Sequence, residues 1–239
     1  MKKSIATDKK RNSGTRGASK DAAVEPHLTL TETAYADLEE MIVTMQLPPG
    51  STVSEAGLSA RLGIGRTPIR EALHRLARER LVVIMPQRGI IVSEINVGSQ
   101  LRLLEVRREL ERLIARSAAR RATEAELKRF REIAKELEAA AKTNDATIFL
   151  RLDREFNHLS ATAARNEFLS GSMSLIHSLS RRFWYVHYQQ VADMPLAARL
   201  HANVARAIAD RDEAKAAIAS DLLLDYLEEF TRATLDMGM

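Results

Sequence analysis

The chain has 239 residues, an apolar content of 45% and no cysteine, so neither a disulfide framework nor a cysteine-based zinc site is possible. Its length suits two modest domains. No apolar run approaches the roughly 20 residues of a membrane span, and the basic N-terminus lacks the apolar core of a signal peptide, so we expect a cytoplasmic protein without a membrane partner.

The formal charge of the chain is concentrated at its start. Residues 1–26 hold seven lysines and arginines against three acids, which equals the net charge of +4 of the whole chain. Because this segment has almost nothing to bury, residues 1–27 are predicted to be a disordered basic tail. A solubilising leader and a phosphate-seeking arm both remain open as its role, and the lack of a defined pattern favours the leader.

Residues 28–95 are predicted to form three helices and a hairpin. The apolar stripe of the first helix consists of Ala34, Leu38, Met41, Ile42 and Met45. Pro48-Pro49-Gly50 should end this helix, because consecutive prolines withhold amide donors. Ser54 is predicted to cap the second helix. Thr67 is predicted to cap the third, with Pro68 in the first helical position, where a missing N–H costs nothing.

The third helix has an apolar back and a basic front. The back consists of Ile69, Ala72, Leu73 and Leu76, which recur at helical spacing. The front consists of Arg66, Thr67, Arg70, His74 and Arg78. Because a guanidinium fork suits phosphates and guanine edges, a helix of this kind after a helix and a glycine turn is typical of a helix-turn-helix DNA reader. The two β-rich runs that follow, Leu81–Met85 and Ile90–Ser93, are predicted to pair as a wing.

The stretch from Tyr35 to Val92 contains LPPGSTVSE, LGIGRTPIREALHRL and PQRG. It resembles the N-terminal winged helix-turn-helix of the GntR family of bacterial transcription regulators. Arginine can read the O6 and N7 of guanine, threonine and backbone amides suit phosphates, and a glycine lets the wing approach the duplex. The predicted DNA-binding residues are therefore Arg66, Thr67, Arg70, Arg88 and Gly89. The chain departs from the family at Ala56, often an arginine there, and at Gly65, often Ser or Thr.

Residues 96–239 are predicted to be all helical, so the predicted fold class is mainly α, with a winged helix-turn-helix followed by an all-helical antiparallel bundle. Helix starts are predicted at Thr123, Asn144 or Asp145, Asn166, Asp193 and after Arg211-Asp212. The segments LEVRRELERLIARSAARRAT, LDREFNHLSATAARNEFL and HANVARAIADRDEAKAAI resemble the FCD effector-binding domain of the FadR branch of the family. The resemblance implies a domain for effector binding and dimerisation.

The resemblance also raises the question of a metal ion. The family often binds one through an Asp, a His four residues later and two further histidines. The matching positions are Asp153, Asn157, His201 and Leu223. Asn157 is a poor ligand and Leu223 has no donor atom, while His158 is rotated about 140° around the helix from Asp153. We therefore expect no tightly held metal and no other cofactor; if an ion binds, Asp153 and His201 are its ligands.

Two basic features point to an acidic effector. Arg107 matches a family position that often meets an acidic ligand, although a surface salt bridge with Glu111 is an equal alternative. A helical face combines His177, Arg181, Trp184, Tyr185 and Tyr188. Burying its arginine and histidine without a partner would be costly, which favours a pocket over plain core. The predicted effector-binding residues are Arg107, Asp153, Asn157, Arg181, Tyr185 and His201, and the predicted effector is a small carboxylate, an organic acid.

The sequence thus predicts a homodimeric DNA-binding transcription regulator on a palindromic operator, controlled by a small carboxylate. One alternative is a metal-dependent enzyme that uses Asp153 and His201 for hydrolysis or isomerisation. It is disfavoured because no arrangement of nucleophile and base appears, so no catalytic residue is assigned. The other alternative is an effector-free DNA binder, against which a pocket lined by arginine and histidine would count.

Overall fold

The structure is a computed structural model that describes residues 28–85 and 89–236. The first domain contains α1 (Leu30–Val43), β1 (Thr52–Val53), α2 (Glu55–Leu62), α3 (Arg66–Arg78), β2 (Val82–Met85) and β3 (Gly89–Val92). The second contains α4 (Val97–Arg121), α5 (Glu124–Thr143), α6 (Ala146–Ala163), α7 (Glu167–Val191), α8 (Met194–Ala209) and α9 (Glu213–Asp236). The fold class is the predicted one. The basic tail of residues 1–27 and the wing residues 86–88 lie outside the described residues.

The first domain is closed by the apolar faces of its three helices and its small sheet. One buried cluster includes Leu38, Ile69, Leu73 and Leu76 from α1 and α3, together with Val92 from the sheet. Each such side chain contributes roughly 1.5–3 kcal/mol when it is fully buried. Strand β3 lies between β1 and β2 and is antiparallel to both, so the predicted wing hairpin is confirmed and gains a short third strand.

Two helix ends differ from the prediction. Helix α1 ends at Val43, ahead of Met45, whose φ of +64° is incompatible with a continuing helix. Helix α3 begins at Arg66 with Gly65 as its N-cap and no side-chain cap, so the predicted capping role of Thr67 is wrong. The extended backbone of Gly65 already directs its carbonyl oxygen to the first intrahelical amide. Pro68 is therefore the third helical residue, where its missing N–H still costs nothing.

The second domain is an all-helical bundle in which α4 packs along α9 and α5 along α8. The predicted helix starts of this domain are confirmed. They could be predicted because each depends on a capping side chain within one turn of the start. Thr123 forms a full capping box, and the side chains of Asp145, Asn166 and Asp193 each accept from a first-turn amide. Asn144 has a φ of +52° and ends α5 instead of starting α6.

Helices α4 and α9 are antiparallel, as the order of the ion pairs between them shows. Arg108 pairs with Asp225 at 2.8 Å, and Arg112, one turn later on α4, pairs with Asp221, one turn earlier on α9, at 3.0 Å. The apolar side chains of α4 are only partly buried, since Leu113 remains 44% exposed. This outer face of the bundle is therefore still partly apolar.

Helix α7 joins the two domains. Its Leu179 packs against the apolar core of the first domain, and Nη2 of Arg182 donates to the carbonyl oxygen of Ser93 at 2.5 Å. Because one continuous helix contacts both cores, a change at one end of α7 can reach the other domain. Within residues 28–85 and 89–236, none of the helices combines the length and apolar character needed to cross a bilayer.

Candidate DNA-binding surface and central cavity

The exposed front of α3 carries the residues predicted to read DNA. Arg66, Thr67 and Arg70 all lie at the exposed N-terminal end of the helix, and His74 and Arg78 continue the row toward its C-terminus. The chain reaches this position through Gly63, whose φ of +66° ends α2 and turns the backbone between the helices. The first two turns of α3 thus combine backbone amides that lack an intrahelical partner with two cations, a combination suited to the major groove.

Arg70 is held by a residue that the sequence analysis did not identify. Its Nε and Nη2 donate to the two carboxylate oxygens of Glu55, the first residue of α2, at 2.9 and 2.8 Å. The hydrogen bond from Arg70 lowers the pKa of Glu55, and the same bond raises the pKa of Arg70. The arginine side chain remains 58% exposed, so the pair orients the guanidinium while leaving it accessible.

The wing contributes one described residue of the predicted set. Gly89 is exposed, begins β3 opposite Met85 and has a φ of +92°, a backbone conformation that favours glycine. A Cβ on Gly89 would lie 3.4 Å from Cγ2 of Thr52, so the backbone runs close to β1. Arg88 lies outside the described residues, and its contact with DNA stays a prediction.

A small cavity of about 40 Å³ lies at the centre of the helical bundle. Five of the six predicted effector residues line it: Arg107, Asp153, Asn157, Arg181 and His201. Aromatic side chains of Phe149, Trp184 and Phe230 form much of the remaining wall. Of these three, Trp184 belongs to the helical face that the sequence predicted as pocket lining, whereas Phe149 and Phe230 were not predicted.

Tyr185 does not line this cavity, so its assignment is wrong. It is half-buried and stacks beside Tyr188, with 6.1 Å between the ring centroids. Adjacent residues of a helix are separated by about 100° of rotation. The inward face of α7 runs through His177, Arg181 and Trp184, and Tyr185 lies at its edge.

Asp153 is the hub of the polar network in the cavity. Its Oδ1 accepts from Nε2 of His201 and from Nδ2 of Asn157, each at 3.0 Å. The Nδ1 of His201 lies 2.8 Å from the carbonyl oxygen of Ala197, so both ring nitrogens lie within hydrogen-bond distance of an oxygen. Burial alone would raise the pKa of Asp153, but the His201 hydrogen bond and the nearby positive charges lower it to about 2.

These contacts do not fit a tightly held transition metal. A ligating histidine needs a free nitrogen lone pair, whereas both nitrogens of His201 are engaged with acceptors. Leu223, at the fourth family position, lies with Asn157 in an adjacent cavity of about 20 Å³ and offers no donor atom. Across residues 28–85 and 89–236, histidine, cysteine and acidic side chains form no group of three or more that could hold a metal.

Arg107 is paired with Glu111, but the pair is not on the surface. Nε of Arg107 lies 2.7 Å from Oε1 of Glu111, and the arginine is only 6% exposed. His177 approaches the same carboxylate at 3.5 Å. Burial alone would raise the pKa of Glu111, but the charge of Arg107 and the hydrogen bond from His177 lower it to about 2. The predicted salt bridge with Glu111 is therefore present, but its predicted location on the surface is wrong.

Arg181 faces the cavity and the first domain at once. It lines the cavity, while its Nη1 donates to both carboxylate oxygens of Glu39 on α1 at 2.8 and 3.1 Å. Its Nη2 donates to Oε2 of Glu40 at 3.0 Å. Burial alone would lower the pKa of Arg181, but the negative charge of Glu39 and the hydrogen bond to Glu40 raise it. One guanidinium thus links the centre of the bundle to the DNA-binding domain.

Both domains match known protein families. Residues 30–92 match the family described as bacterial regulatory proteins, gntR family. Residues 102–226, more than half of the chain, match the FCD domain. The chain belongs to the GntR family. This GntR regulator is a DNA-binding transcription regulator with an FCD domain, and the enzyme alternative built on Asp153 and His201 is set aside, because the matched families and relatives are regulators.

Related regulators align with this GntR regulator over most of its length. The Nta operon transcriptional regulator of Aminobacter aminovorans is 29% identical over 173 residues, which cover 72% of this GntR regulator and 80% of that protein. The HTH-type transcriptional repressor RspR of Escherichia coli is 26% identical over 192 residues, 80% and 84% of the two chains. The solved structure of E. coli McbR/YncC has a TM-score of 0.70 at 19% identity and covers 88% and 97%, a likeness of fold alone.

Several residues of this GntR regulator became candidates only through the structure. Glu55 orients Arg70, and Glu39 and Glu40 hold Arg181. The Arg107–Glu111 pair, by contrast, was already predicted from its spacing of four residues on one helix, and the structure adds that it lies inside the bundle. The other pairs span 15 to 142 residues of sequence, so periodicity could not connect them.

Proposed function

We propose that this GntR regulator releases or engages its operator in response to a small carboxylate bound in the central cavity. The observation that carries the proposal is the double role of Arg181, which lines the cavity and also pairs with Glu39 and Glu40 of the first domain. A ligand that competes for this guanidinium changes the contact between the two domains. Effector binding and DNA binding are then coupled through one side chain.

The size and charge of the cavity favour a compact anion. Its volume of about 40 Å³ corresponds to roughly three water molecules, since each needs about 10–15 Å³ of such space. Arg107 and Arg181 both line it, and guanidinium groups bind carboxylates through paired hydrogen bonds. The effector-free alternative is disfavoured, because two arginines, two histidines and an aspartate take part in the lining of the cavity.

Both arginines are already neutralised within the chain, which suggests how the ligand acts. Arg107 pairs with Glu111 inside the bundle, and Arg181 pairs across the domain boundary. A carboxylate that takes over Arg181 leaves Glu39, only 4% exposed, as a buried charge without its partner. Such a loss is strongly unfavourable, so α1 is expected to move away from α7 and to shift the DNA-binding domain.

We further propose that the regulator binds a palindromic operator as a homodimer. The N-terminal end of α3 would enter the major groove, with Arg66 and Arg70 facing base edges and Gly89 of the wing close to the backbone. A second protomer is supported by exposed apolar side chains on α4 and α9, namely Leu113, Ile218 and Leu222. Sedimentation of Leu113→Glu should then report a smaller species than the parent protein.

The proposal is tested by measuring the affinity for the operator in the presence of small carboxylates, from acetate to succinate. Fluorescence anisotropy with a labelled operator should reveal at least one carboxylate that changes the affinity. Arg107→Ala should abolish this response and leave effector-free DNA binding intact. Arg116→Ala, an exposed arginine on the same helix, is the matched control and should respond like the parent. A full response in Arg107→Ala would refute the proposed site.

A second variant tests the transmission step alone. Glu39→Gln removes the charge that holds Arg181 without touching the cavity wall. It should shift the operator affinity of the ligand-free protein in the same direction as the effector does, and reduce any further effect of the ligand. An unchanged affinity together with a full ligand response would mean that the signal does not pass through Arg181 and α1.

A further inference from the structure

A second cleft lies where the first domain meets helices α4 and α7. Its volume is about 460 Å³, far larger than the 40 Å³ of the central cavity. Its apolar lining consists of Leu103, Val106, Leu175, Ile176, Leu179 and Phe183. Its polar lining includes Arg80, Glu94, Asn96, Arg102 and Arg182. A volume within roughly 300–1,000 Å³ and a mixed lining are typical of sites for small organic ligands.

Arg182 is the buried cation of this cleft. Its exposed fraction is 2%, and its Nη2 donates to the carbonyl oxygen of Ser93. Its Nε has no hydrogen-bond partner among the described residues, and no described carboxylate lies within 4 Å of the guanidinium. A guanidinium has five N–H donors, so most of its capacity for an anion is unused. A buried charge without a counterion is costly, and an anionic ligand would remove that cost.

Glu94 lines the same cleft but does not neutralise Arg182. Its carboxylate lies against the backbone of Gly50, where a Cβ would come within 2.8 Å of Oε1. The attraction between Glu94 and Arg182 is therefore long-range, and burial still lowers the pKa of Arg182. The acid that could have served as an internal counterion is directed to another contact.

Other positive groups surround the same space. Arg80, from the first domain, and Arg102, from the first turns of α4, are both exposed at the cleft. Arg102 donates from Nη2 to Oγ of Ser99 at 3.1 Å and forms no ion pair with a described residue. The N-terminus of the 25-residue helix α4 adds a partial positive charge. Three arginines and one glutamate thus line the cleft.

We propose that this cleft binds an amphiphilic organic anion. Its carboxylate or sulfonate pairs with Arg182, and its apolar body lies on Leu103, Val106 and Leu175. The ligand would contact both domains, since Arg80 belongs to the first domain and Arg182 to α7. The cleft adjoins the central cavity, with which it shares Gln100 and Phe183, but the small volume of that cavity excludes a ligand of this size. The proposal does not depend on whether a small carboxylate binds in the central cavity.

Calorimetric titration of the full-length protein with 1-naphthoate tests this site, with 1-naphthalenemethanol as the neutral ligand of the same shape. Naphthoate should bind with one ligand per chain, and the alcohol at least tenfold more weakly. Arg182→Met should weaken naphthoate binding at least tenfold. Arg116→Met, the same change at an exposed position of α4, should bind like the parent.

Val106→Phe provides a second test that does not depend on the buried arginine. Val106 is 55% exposed, so the larger side chain can be accommodated in the fold while it fills the cleft. It should reduce naphthoate binding at least tenfold, with an unchanged circular dichroism spectrum. The proposal is overturned if the parent binds no naphthoate at millimolar concentration, if naphthoate and the alcohol bind equally, or if folded Val106→Phe binds like the parent.

Titration together with sedimentation distinguishes whether the cleft is occupied by a small ligand or by a second copy of the chain. If another protomer filled it, sedimentation would report a smaller species for Val106→Phe, and the parent would bind no naphthoate. That combination would overturn the proposal. An unchanged sedimentation coefficient with weakened naphthoate binding supports it.

Discussion

Arg70 on α3 and Glu55 on α2 form a two-point ion pair across the helix-turn-helix, with nitrogen–oxygen distances of 2.9 and 2.8 Å. The pair fixes the plane of a solvent-exposed guanidinium at the N-terminal end of α3, where the contact with DNA is predicted. Arg66, one turn earlier, forms no ion pair with a described residue. The side chain of Arg70 is therefore oriented before DNA binds, whereas that of Arg66 is held by no ion pair with a described residue. Substituting the two arginines singly compares an oriented side chain with one that is not.

Arg66→Ala and Arg70→Ala, made singly, should each weaken binding to the operator by roughly 1–3 kcal/mol and binding to random DNA much less. The reason is that a paired contact to a guanine carries sequence information, whereas a phosphate contact does not. Anisotropy titrations with both DNAs measure the difference. Arg116→Ala, which removes an exposed arginine of α4 outside the first domain, is the control. Equal losses on both DNAs would mean that the arginines only hold phosphates.

Gly89→Ala should destabilise the wing. An L-residue at a φ of +92° is strained by about 1–2 kcal/mol, and the added Cβ would also touch β1. We expect a lower melting temperature and weaker operator binding. Gly171→Ala is the matched control: this exposed helical glycine has nothing within 4 Å of an added Cβ, so alanine should stabilise by up to about 1 kcal/mol. A Gly89→Ala protein as stable as its parent would contradict the strain argument.

Deletion of residues 1–26 should leave the unfolding temperature unchanged, because the segment contains almost nothing that could join a core. Its seven basic residues provide a separate test of DNA contact. If the tail touches DNA, the slope of log affinity against log salt concentration becomes shallower by a few units on deletion. If the slope is unchanged, the tail is a solubilising leader.

Asp153→Asn should remove part of the acid sensitivity of the fold. The folded-state pKa of Asp153, about 2, is below its ordinary value of 3.8, so its stabilising contribution is complete above pH 4 and is lost as the pH falls toward 2. From pH 5 to pH 3 the parent should lose about 1 kcal/mol that the variant does not lose. Denaturant unfolding followed by the fluorescence of Trp184 measures both proteins. Parallel losses would exclude Asp153 as the titrating group.

Purified protein should contain no zinc or nickel at a stoichiometric level. His201 directs both ring nitrogens to acceptors, and the family's other ligand positions hold Asn157 and Leu223, which are unsuited to a transition metal. Elemental analysis of protein prepared without chelators measures the content. One tightly held metal ion per chain would contradict this expectation and return Asp153 and His201 to the role of ligands.

The sequence by itself determined the features of this protein that depend on neighbouring residues. Helical periodicity and capping side chains such as Thr123, Asp193 and Asn166 located the helices, because a cap acts within one turn of its own residue. The same local logic identified the basic front of α3 and the wing. It missed the start of α3 by two residues, because the extended backbone of Gly65 made a side-chain cap unnecessary.

Only the tertiary structure decided which distant charges meet. Arg181 pairs with Glu39, 142 residues away, while its helical neighbour Arg182 is buried without a carboxylate partner. Tyr185 was wrongly predicted to line the cavity for a related reason. Neighbouring residues of a helix point about 100° apart, so only the packing of α7 decides that Trp184 lines the cavity and Tyr185 does not. Helical spacing defines a face but not the element it packs against. Partner, burial and net charge at each site are set by packing between elements far apart in the sequence.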